Sequence, residues 1–307
     1  MTTALLFPGQ GSQRVGMGRD LAIVHDIARR TYEEADAVLG FPLSKLCWEG
    51  PEDELTLTKH TQPAILTTSI AVFRVLLEKG LRFEIAAGHS LGEWSALVAA
   101  GALQLRDAVK LTHLRGTFMQ EAVPVGRGAM AALMGLDLET TRRVCEESSA
   151  EGEPVEPANL NGGGQIVISG HSGAVDRAIA KAKTAGAKIA KKLAVSAPFH
   201  CSLMKPAAEQ LAAAMADVVV THPTVPVVAN VTAEPNTDAS RIKDLLVQQV
   251  TAPVRWEESI QTIAKLGHTR AFELGSGAVL KGLIKRIAPS IEVTTIGEPH
   301  EVAGFSV

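Results

Sequence analysis

The chain has 307 residues, of which 46% are hydrophobic and 21% are charged. This composition is typical of a soluble globular protein and excludes an intrinsically disordered or fibrous chain. At roughly 150 residues per domain, the length predicts two domains or one domain with a large insertion. Thirty basic and 33 acidic side chains give a net charge of −3. No overall positive field attracts nucleic acid or an anionic membrane, so we expect neither as a partner.

Cysteine usage and the N-terminal segment indicate a compartment. Cys47, Cys145 and Cys201 are odd in number, far apart and outside any Cys-x-x-Cys pair, which argues against a disulfide framework and a zinc knuckle. The N-terminal segment lacks the basic residues of a signal peptide. No apolar run approaches the roughly 20 residues that span a membrane. We therefore predict a cytoplasmic protein.

The first part of the chain alternates short apolar strands with helices. In chain order we predict a strand at 5–7, a glycine-rich loop at 8–12, a helix ending at Gly40, a helix opening at 61–63, a strand at 83–87 and a helix at 93–100. Pro63 is expected in the first turn of its helix, where proline is well tolerated. This alternation predicts a parallel sheet covered by helices.

The middle of the chain has a different pattern. We predict strands at 129–136, 155–160, 165–169 and 188–195, and helices at 138–149 and 174–185. The resulting order, β-α-β-β-α-β, is typical of a ferredoxin-like domain. We therefore predict a ferredoxin-like insert at 127–194 within an α/β body formed by 1–126 and 195–307.

The clearest local signal is the Gly-x-Ser-x-Gly segment at 88–92, Gly88-His89-Ser90-Leu91-Gly92, between a predicted strand and a predicted helix. Glycines at both ends permit a strained turn that exposes the Ser90 hydroxyl, with the Leu91 N–H and the helix N-terminus near a developing oxyanion. This favours a nucleophile over a simple helix cap and indicates an α/β-hydrolase-like parallel-sheet body.

A serine nucleophile needs a base, and nine histidines are candidates. No His-Glu-x-x-His or other paired spacing suggests a metal site. His89 adjoins the serine, but neighbouring side chains of an extended segment point to opposite sides. His171 precedes Ser172, which we predict to cap the next helix. His200, on a loop re-entering the body, is slightly favoured, and Cys201 beside it is expected to be a buried thiol.

Arg115 interrupts the apolar stripe of a helix predicted at 106–122. The other members of the stripe are Ala108, Leu111, Phe118 and Met119. A guanidinium on a core-facing stripe must find an anion, because its desolvation is costly. Two explanations stay open at this point: an internal ion pair, or bidentate capture of a substrate carboxylate, which suits the planar arginine fork.

Four linked motifs then resemble one family. They are residues 7–13 (Phe-Pro-Gly-Gln-Gly-Ser-Gln), 88–93 (Gly-His-Ser-Leu-Gly-Glu), Arg115-Gly116 with Met119-Gln120, and Pro198-Phe199-His200. In this order and at these separations the chain is similar to the malonyl-CoA:acyl carrier protein transacylase family, the acyltransferases of bacterial fatty acid and polyketide synthesis. The resemblance extends over nearly the whole chain, including the insert and residues 273–277.

The resemblance implies a role for each matching residue. Ser90 would be the acylated nucleophile and His200 its general base. The N–H groups of Gln10 and Leu91 would form the oxyanion hole. Arg115 would hold the malonyl carboxylate.

Further positions follow from the same resemblance. Gln249 would lie near His200, where a carbonyl orients the imidazole in place of an aspartate. Asn161 belongs to the segment that would line the cleft. Trp94 and Phe199 would shape the acyl pocket. Malonyl-CoA and phosphopantetheinylated acyl carrier protein would be the substrates, and neither cofactor nor metal is implied.

Carrier proteins are generally acidic, so a basic docking face is expected. Six cations without an intervening acid occur between residues 177 and 192, and they form either a docking face or a solvated helix face. They are Arg177, Lys181, Lys183, Lys188, Lys191 and Lys192.

Three competing interpretations are weighed. A serine esterase or thioesterase needs a triad acid between serine and histidine, and the sequence offers Asp107, Asp137 and Asp176. A non-catalytic scaffold is disfavoured because every chemically required position holds a competent residue. The same transfer with another extender, such as methylmalonyl-CoA, is the alternative within the enzyme hypothesis. The pathway and the oligomeric state stay open, a monomer being one option.

Overall fold

The computed structural model describes residues 2–195 and 197–306, which fold into two sheets flanked by helices. The strands are β1 (Thr3–Phe7), β2 (Ile85–Gly88), β3 (Gly128–Met134), β4 (Val155–Gly162), β5 (Gln165–His171), β6 (Ile189–Lys192), β7 (Val227–Val228), β8 (Pro235–Asn236), β9 (Arg270–Leu274) and β10 (Glu292–Ile296). The helices before the second sheet are α1 (Arg19–Val24), α2 (Asp26–Leu39), α3 (Leu43–Glu49), α4 (Glu52–Thr56), α5 (Thr58–Glu78), α6 (Leu91–Ala99) and α7 (Leu105–Glu121). The remaining helices are α8 (Leu138–Ser148), α9 (Ser172–Thr184), α10 (Lys205–Ala214), α11 (Ala239–Thr251), α12 (Trp256–Lys265), α13 (Val279–Ile287) and α14 (Pro299–Ala303).

The larger sheet has the order β10-β9-β1-β2-β7-β8 and is parallel except for β8. Its central strand β1 is buried along its whole length. Leu5 and Phe7 pack into the core cluster on one face, and Ala4 and Leu6 into the cluster on the other. Burial on both faces explains why the strand is an unbroken apolar run.

The smaller sheet is antiparallel, with the order β4-β5-β3-β6. Helices α8 and α9 pack on one of its faces through a separate apolar cluster that includes Ala131, Ile168 and Ala178. Its chain order is β-α-β-β-α-β. The predicted fold class, a parallel-sheet body with a ferredoxin-like unit, is therefore confirmed.

Some predicted boundaries were wrong for identifiable reasons. Helix α5 begins at Thr58, so Pro63 lies beyond its first turn. A proline has no N–H to donate to the carbonyl four residues earlier. That carbonyl, of Lys59, accepts a hydrogen bond from His113 Nδ1 instead, at 2.8 Å. At α9 the cap is the His171 side chain, which accepts from Gly173 N, and Ser172 is already helical.

Other differences concern element ends. The single helix predicted before Gly40 is divided at His25, which is extended and separates α1 from α2. Gly40 itself ends α2 in the left-handed conformation, as predicted. Strand β6 stops at Lys192 rather than 195. None of the described helices is both long and apolar enough to cross a membrane.

Two glycines permit the close crossing of β1, β2 and α6. A Cβ on Gly92 would lie 2.0 Å from the Phe7 carbonyl oxygen, and a Cβ on Gly88 would lie 1.9 Å from the Gly92 carbonyl carbon. Because both obstacles are backbone atoms, neither can move aside without shifting a strand or a helix. The Gly-x-Ser-x-Gly spacing is thus a packing requirement of this crossing.

We predict that Gly92→Ala destabilises the protein by about 2 kcal/mol or more, since overpacking against backbone strains the crossing. Gly282→Ala is the matched control. It lies in α13 with no atom within 4 Å of the added Cβ, and should stabilise by about 0.5–1 kcal/mol through helix propensity. Urea unfolding of both variants measures the difference. Equal midpoints for Gly92→Ala and the unmodified protein would contradict this packing account.

Candidate active site

Ser90 occupies the turn between β2 and α6 with φ 51° and ψ −104°. Among the described residues, the other non-glycine residues at positive φ are His200 and Ala233. Such conformations cost about 1–3 kcal/mol each and persist only where the surroundings impose them. Two of the three strained residues therefore form the pair that the sequence singles out for chemistry.

Ser90 and His200 are in direct contact, although 110 positions separate them in the chain. Ser90 Oγ lies 2.7 Å from His200 Nε2, and His200 Nδ1 lies 2.8 Å from the backbone carbonyl oxygen of Gln249. A carbonyl oxygen only accepts, so Nδ1 carries the proton and Nε2 is left as an acceptor for the serine O–H. This tautomer is the one a general base requires.

Burial lowers the pKa of His200 to about 3, and the nearby Arg115 guanidinium lowers it further in the same direction. The hydrogen bond to Gln249 opposes both effects. The imidazole is therefore neutral at physiological pH and free to take a proton.

Arg115 is only 2% exposed, and its guanidinium is held by neutral oxygens. Nη1 donates to Gln62 Oε1 at 2.7 Å, and Nη2 donates to Ser90 Oγ at 3.1 Å and to Gln249 Oε1 at 3.0 Å. Nε is buried without a partner among the described residues. The internal ion pair considered from the sequence is not formed within this part of the chain. The guanidinium thus faces the serine without a directly bound carboxylate.

A buried acid, Glu93, adjoins this arrangement, one residue beyond the Gly-x-Ser-x-Gly turn on its C-terminal side. Its Oε2 accepts from Gln249 Nε2 at 2.6 Å and from the Asn230 backbone N–H at 2.9 Å. Burial raises the pKa of Glu93 to about 7, while its two hydrogen bonds and Arg115 oppose that rise. Burial lowers the pKa of Arg115 to about 10, and Glu93 opposes that shift. The Gln249 amide therefore lies between the Glu93 carboxyl and the Arg115 guanidinium.

Sequence reasoning missed Glu93, Asn230 and Gln62. Glu93 is the one charged residue of the apolar helix α6, so the argument applied to Arg115 would have found it. Asn230 follows β7, and its side chain accepts from Ser90 N at 2.7 Å and donates to Gly88 O at 2.8 Å. No local pattern marks an asparagine in a loop 140 positions away from the serine that it supports.

A cavity of about 130 Å³ opens beside Ser90. Five of the residues predicted from the sequence line this cavity: Gln10, Ser90, Arg115, Phe199 and His200. The lining residues are Gln10, Gln62, His89, Ser90, Arg115, Met119, Met130, Asn159, Leu193, Val195, Phe199 and His200. Five of the lining side chains are apolar: Met119, Met130, Leu193, Val195 and Phe199.

Two backbone N–H groups are available near the serine. Within residues 2–195 and 197–306, neither the Gln10 nor the Leu91 N–H donates to a protein acceptor. Leu91 is the first residue of α6, so its N–H is one of the unpaired donors at the helix N-terminus. The two groups predicted for an oxyanion hole are therefore not consumed by protein hydrogen bonds.

Other predicted residues lie outside the cavity. Trp94 is fully buried in the core and does not shape the pocket, because it faces inward from α6. Asn161 does not line the cavity, but its Oδ1 is 2.8 Å from Nε2 of His89, which does. Asn159 of the same segment lines the cavity, with a buried Oδ1 that has no partner among the described residues. Cys201 is a buried thiol donating to Pro198 O, as expected.

None of the three candidate triad acids contacts His200 in the described structure. Asp137 caps α8, Asp176 pairs with Lys192, and Asp107 lies in the first turn of α7. The imidazole is oriented by a backbone carbonyl instead. The arrangement required for a hydrolase triad is therefore missing from these residues.

A serine at a strained strand-to-helix turn, paired with a neutral histidine, defines enzymes that form acyl-serine intermediates. A family model described as acyl transferase domain matches residues 4–297. The malonyl CoA-acyl carrier protein transacylase of Salmonella typhimurium is 50% identical over 297 residues, which cover 96% of each chain. This chain belongs to the malonyl CoA-acyl carrier protein transacylase family.

Solved structures agree with that assignment. The acyl-carrier-protein-S-malonyltransferase from Bartonella henselae matches with a TM-score of 0.96 and 48% identity, covering 99% of this chain and 98% of that one. A malonyl-transacylase solved in complex with its type II PKS acyl-carrier protein matches with a TM-score of 0.96 and 45% identity, covering 99% and 98%.

The depressed pKa of His200 has a measurable consequence. We predict that a sulfonyl fluoride labels Ser90 at a nearly constant rate from pH 7 to pH 5, because the imidazole stays neutral. A histidine with an ordinary pKa near 6.5 would slow the reaction about thirtyfold at pH 5. Intact mass against time gives the rate, and circular dichroism at each pH checks the fold. A decline that follows a pKa near 6.5 would contradict the assigned environment.

The same shift affects stability. The folded-state pKa of His200 lies below its unfolded value, so protonation favours unfolding. Its contribution to stability is complete above about pH 6.5 and is lost progressively as the pH falls toward 3.

Proposed function

We propose that this protein transfers a malonyl group from malonyl-CoA to the phosphopantetheine thiol of an acyl carrier protein, through a malonyl ester on Ser90. One observation carries the proposal: Ser90 Oγ is hydrogen-bonded both to a neutral imidazole and to a buried guanidinium. The imidazole can activate the hydroxyl, and the guanidinium can bind a carboxylate adjacent to the reacting carbonyl.

In the first half-reaction, Ser90 Oγ attacks the thioester carbonyl carbon of malonyl-CoA while His200 Nε2 takes the hydroxyl proton. The negative charge that develops on the carbonyl oxygen is stabilised by the N–H groups of Gln10 and Leu91, each worth about 2.7–4 kcal/mol in comparable sites. The intermediate breaks its carbon–sulfur bond, and the imidazolium gives its proton to the departing CoA sulfur. Malonyl-Ser90 remains.

In the second half-reaction the thiol is the nucleophile and Ser90 Oγ is the leaving group, while His200 again acts first as base and then as acid. His200 accepts the proton of the phosphopantetheine thiol, and the sulfur attacks the ester carbonyl of malonyl-Ser90. Collapse of the intermediate breaks the bond to Ser90 Oγ, which recovers its proton from His200. The two half-reactions give ping-pong kinetics. No cofactor or metal takes part in either step.

Arg115 links substrate choice to the strength of the base. Its charge opposes protonation of His200 in the free enzyme. A malonyl carboxylate bound to the guanidinium would offset that charge and make the imidazole a better proton acceptor. A neutral acyl group would not. A carboxylated donor is therefore favoured in two ways: Arg115 binds its carboxylate, and His200 becomes a stronger base toward Ser90.

The acyl chain would extend along the apolar wall of the cavity, where Phe199, Met119 and Met130 limit its size. We propose malonyl as the preferred group. Asn161, which binds His89, would act by holding the cleft wall. The cytoplasm, where acyl-CoA donors are used, is the proposed location.

The carrier protein is proposed to approach along α9 and β6. Three of the six cations expected there are paired with acids: Arg177 with Glu153, Lys181 with Glu147 and Lys192 with Asp176. Lys183, Lys188 and Lys191 have no ion-pair partner among the described residues. Leu193, just beyond β6, lines the cavity. These three free cations are thus the ones available to an acidic partner.

The proposed function is tested by comparing malonyl-CoA with acetyl-CoA in the Arg115→Lys variant. Lysine keeps the charge but loses the bidentate fork, so we expect kcat/KM for malonyl-CoA to fall roughly tenfold or more while that for acetyl-CoA changes little. Intact mass identifies the acyl-enzyme, and its discharge by holo acyl carrier protein completes the assay.

Ser90→Ala is the control and should give no adduct. Equal losses on both donors would contradict the carboxylate role of Arg115. Rapid release of free malonate, with no discharge to the carrier, would favour a thioesterase instead.

A further inference from the structure

Glu93 is buried next to the catalytic pair, yet neither half-reaction uses it. It lies three residues after Ser90 on α6 and is 3% exposed. Burying a carboxyl is costly unless its oxygens receive hydrogen bonds. Its Oε2 receives two, from Gln249 Nε2 and from the Asn230 backbone N–H. The function of the Glu93 carboxyl is therefore sought in the two groups that donate to it.

The Gln249 side chain joins Glu93 to Arg115. Its Oε1 accepts from Arg115 Nη2 at 3.0 Å. Its Nε2 donates to Glu93 Oε2 at 2.6 Å and, over longer distances, to the Ser90 carbonyl oxygen at 3.1 Å and Asn230 Oδ1 at 3.3 Å. A primary amide presents an oxygen on one side and an N–H₂ on the other. Glu93 makes the shortest of the three contacts, so it holds the nitrogen on its own side most firmly and thereby turns the oxygen toward the guanidinium.

The hydrogen bonds from Glu93 through Gln249 to Arg115 become more important when Ser90 is acylated. In the free enzyme, Arg115 donates to Gln62, Ser90 Oγ and Gln249. Once Ser90 Oγ becomes an ester oxygen, it is a weaker acceptor, and the two glutamine oxygens must orient the guanidinium. The chain from Glu93 through Gln249 to Arg115 then decides how the arginine fork meets the malonyl carboxylate.

We propose that Glu93 is a positioning residue for the carboxylated acyl group, acting on Arg115 through the Gln249 side-chain amide. It rests on the proposed function, since it concerns the same arginine and the same acyl group. Glu93 does not touch the substrate. Its effect is on the preference for malonyl over neutral acyl donors, because an acetyl group has no carboxylate for the guanidinium to bind.

The test is the ratio of kcat/KM for malonyl-CoA to kcat/KM for acetyl-CoA. We expect Glu93→Ala to lower this ratio about fivefold or more, because the Gln249 nitrogen loses the shortest of its three hydrogen bonds and the amide is held less firmly. Glu93→Gln should keep the ratio within about twofold, because its side-chain oxygen can accept the same two hydrogen bonds. Equal loss of the ratio in Glu93→Gln and Glu93→Ala would show that charge is required and would overturn the orientation argument.

A double-mutant cycle tests the route through Gln249. Gln249→Ala keeps the backbone carbonyl that holds His200, so only the amide is removed. If Glu93 acts through that amide, the ratio in Glu93→Ala/Gln249→Ala equals that in Gln249→Ala alone. A further fall in the double variant would show an independent effect and overturn the proposal.

Glu273→Gln is the matched control. Glu273 is another buried carboxyl, 1% exposed, but its oxygens accept from Leu280 N and Lys281 N at the start of α13, outside the cavity. Its variant should leave the ratio unchanged whatever its effect on stability. A loss of activity on both donors alike in Glu93→Ala would indicate a merely structural role and overturn the proposal.

A replacement variant and a check on malonyl-Ser90 formation make the outcome of this test unambiguous. If Glu93→Ala does not fold, Glu93→Asp replaces it, since its carboxyl is one methylene too short to reach Gln249 and should lower the ratio similarly. Failure of the unmodified protein to form malonyl-Ser90 would refute the proposed function itself. Normal malonyl-Ser90 formation together with an unchanged ratio in Glu93→Ala would refute only the role of Glu93.

Discussion

Arg115 is buried beside Ser90 with its guanidinium bound to amide and hydroxyl oxygens, and the rest of the site is arranged around that costly group. Desolvation of a charge is tolerated only when hydrogen bonds or counter-charges replace the lost water. Here Gln62 and Gln249 supply oxygens, and the Glu93 carboxyl lies one amide away. This leaves the arginine charged and not neutralised by direct contact. A substrate carboxylate can then complete its coordination.

The backbone supports this arrangement through close crossings. Gly92 lets α6 start against the end of β1, and the strained Ser90 turn points its hydroxyl into the cavity. Asn230 fastens the same turn by bonding Ser90 N and Gly88 O. His200 is strained as well and is held by the Gln249 carbonyl. Gln249 is therefore shared: its backbone orients the base, and its side chain orients the arginine.

Much of the fold could be predicted from the sequence, because its signals are periodic and local. The unbroken apolar run of β1 and the β-α-β-β-α-β order of the insert depend on nearby residues alone. The errors at Pro63 and Ser172 have different causes. At Pro63 a tertiary contact replaced a local rule, because Lys59 O accepts from His113, 54 positions away. At α9 the cap is local but unusual: the ring of His171, one residue before the helix, takes the position expected for serine.

The site divides in the same way. Ser90 and Arg115 stand out locally, one in a glycine-flanked turn and the other in an apolar stripe. The loop position of His200 favours it only slightly over the other histidines, and its role follows from the resemblance of the linked motifs to a known family. Asn230 and Gln62 were missed because their function depends on partners far away in the chain. Trp94 was misplaced because an aromatic residue beside a nucleophile can face the core as readily as the pocket.

The central claim is that Ser90, His200 and Arg115 act on one substrate in one cavity. A crystal structure of the enzyme trapped with malonyl on the serine tests it most directly. The account predicts an ester bond to Ser90 Oγ, the terminal carboxylate on the guanidinium of Arg115, and the imidazole of His200 beside the ester oxygen. An ester whose carboxylate points to solvent, with Arg115 still bound only to protein oxygens, would contradict it.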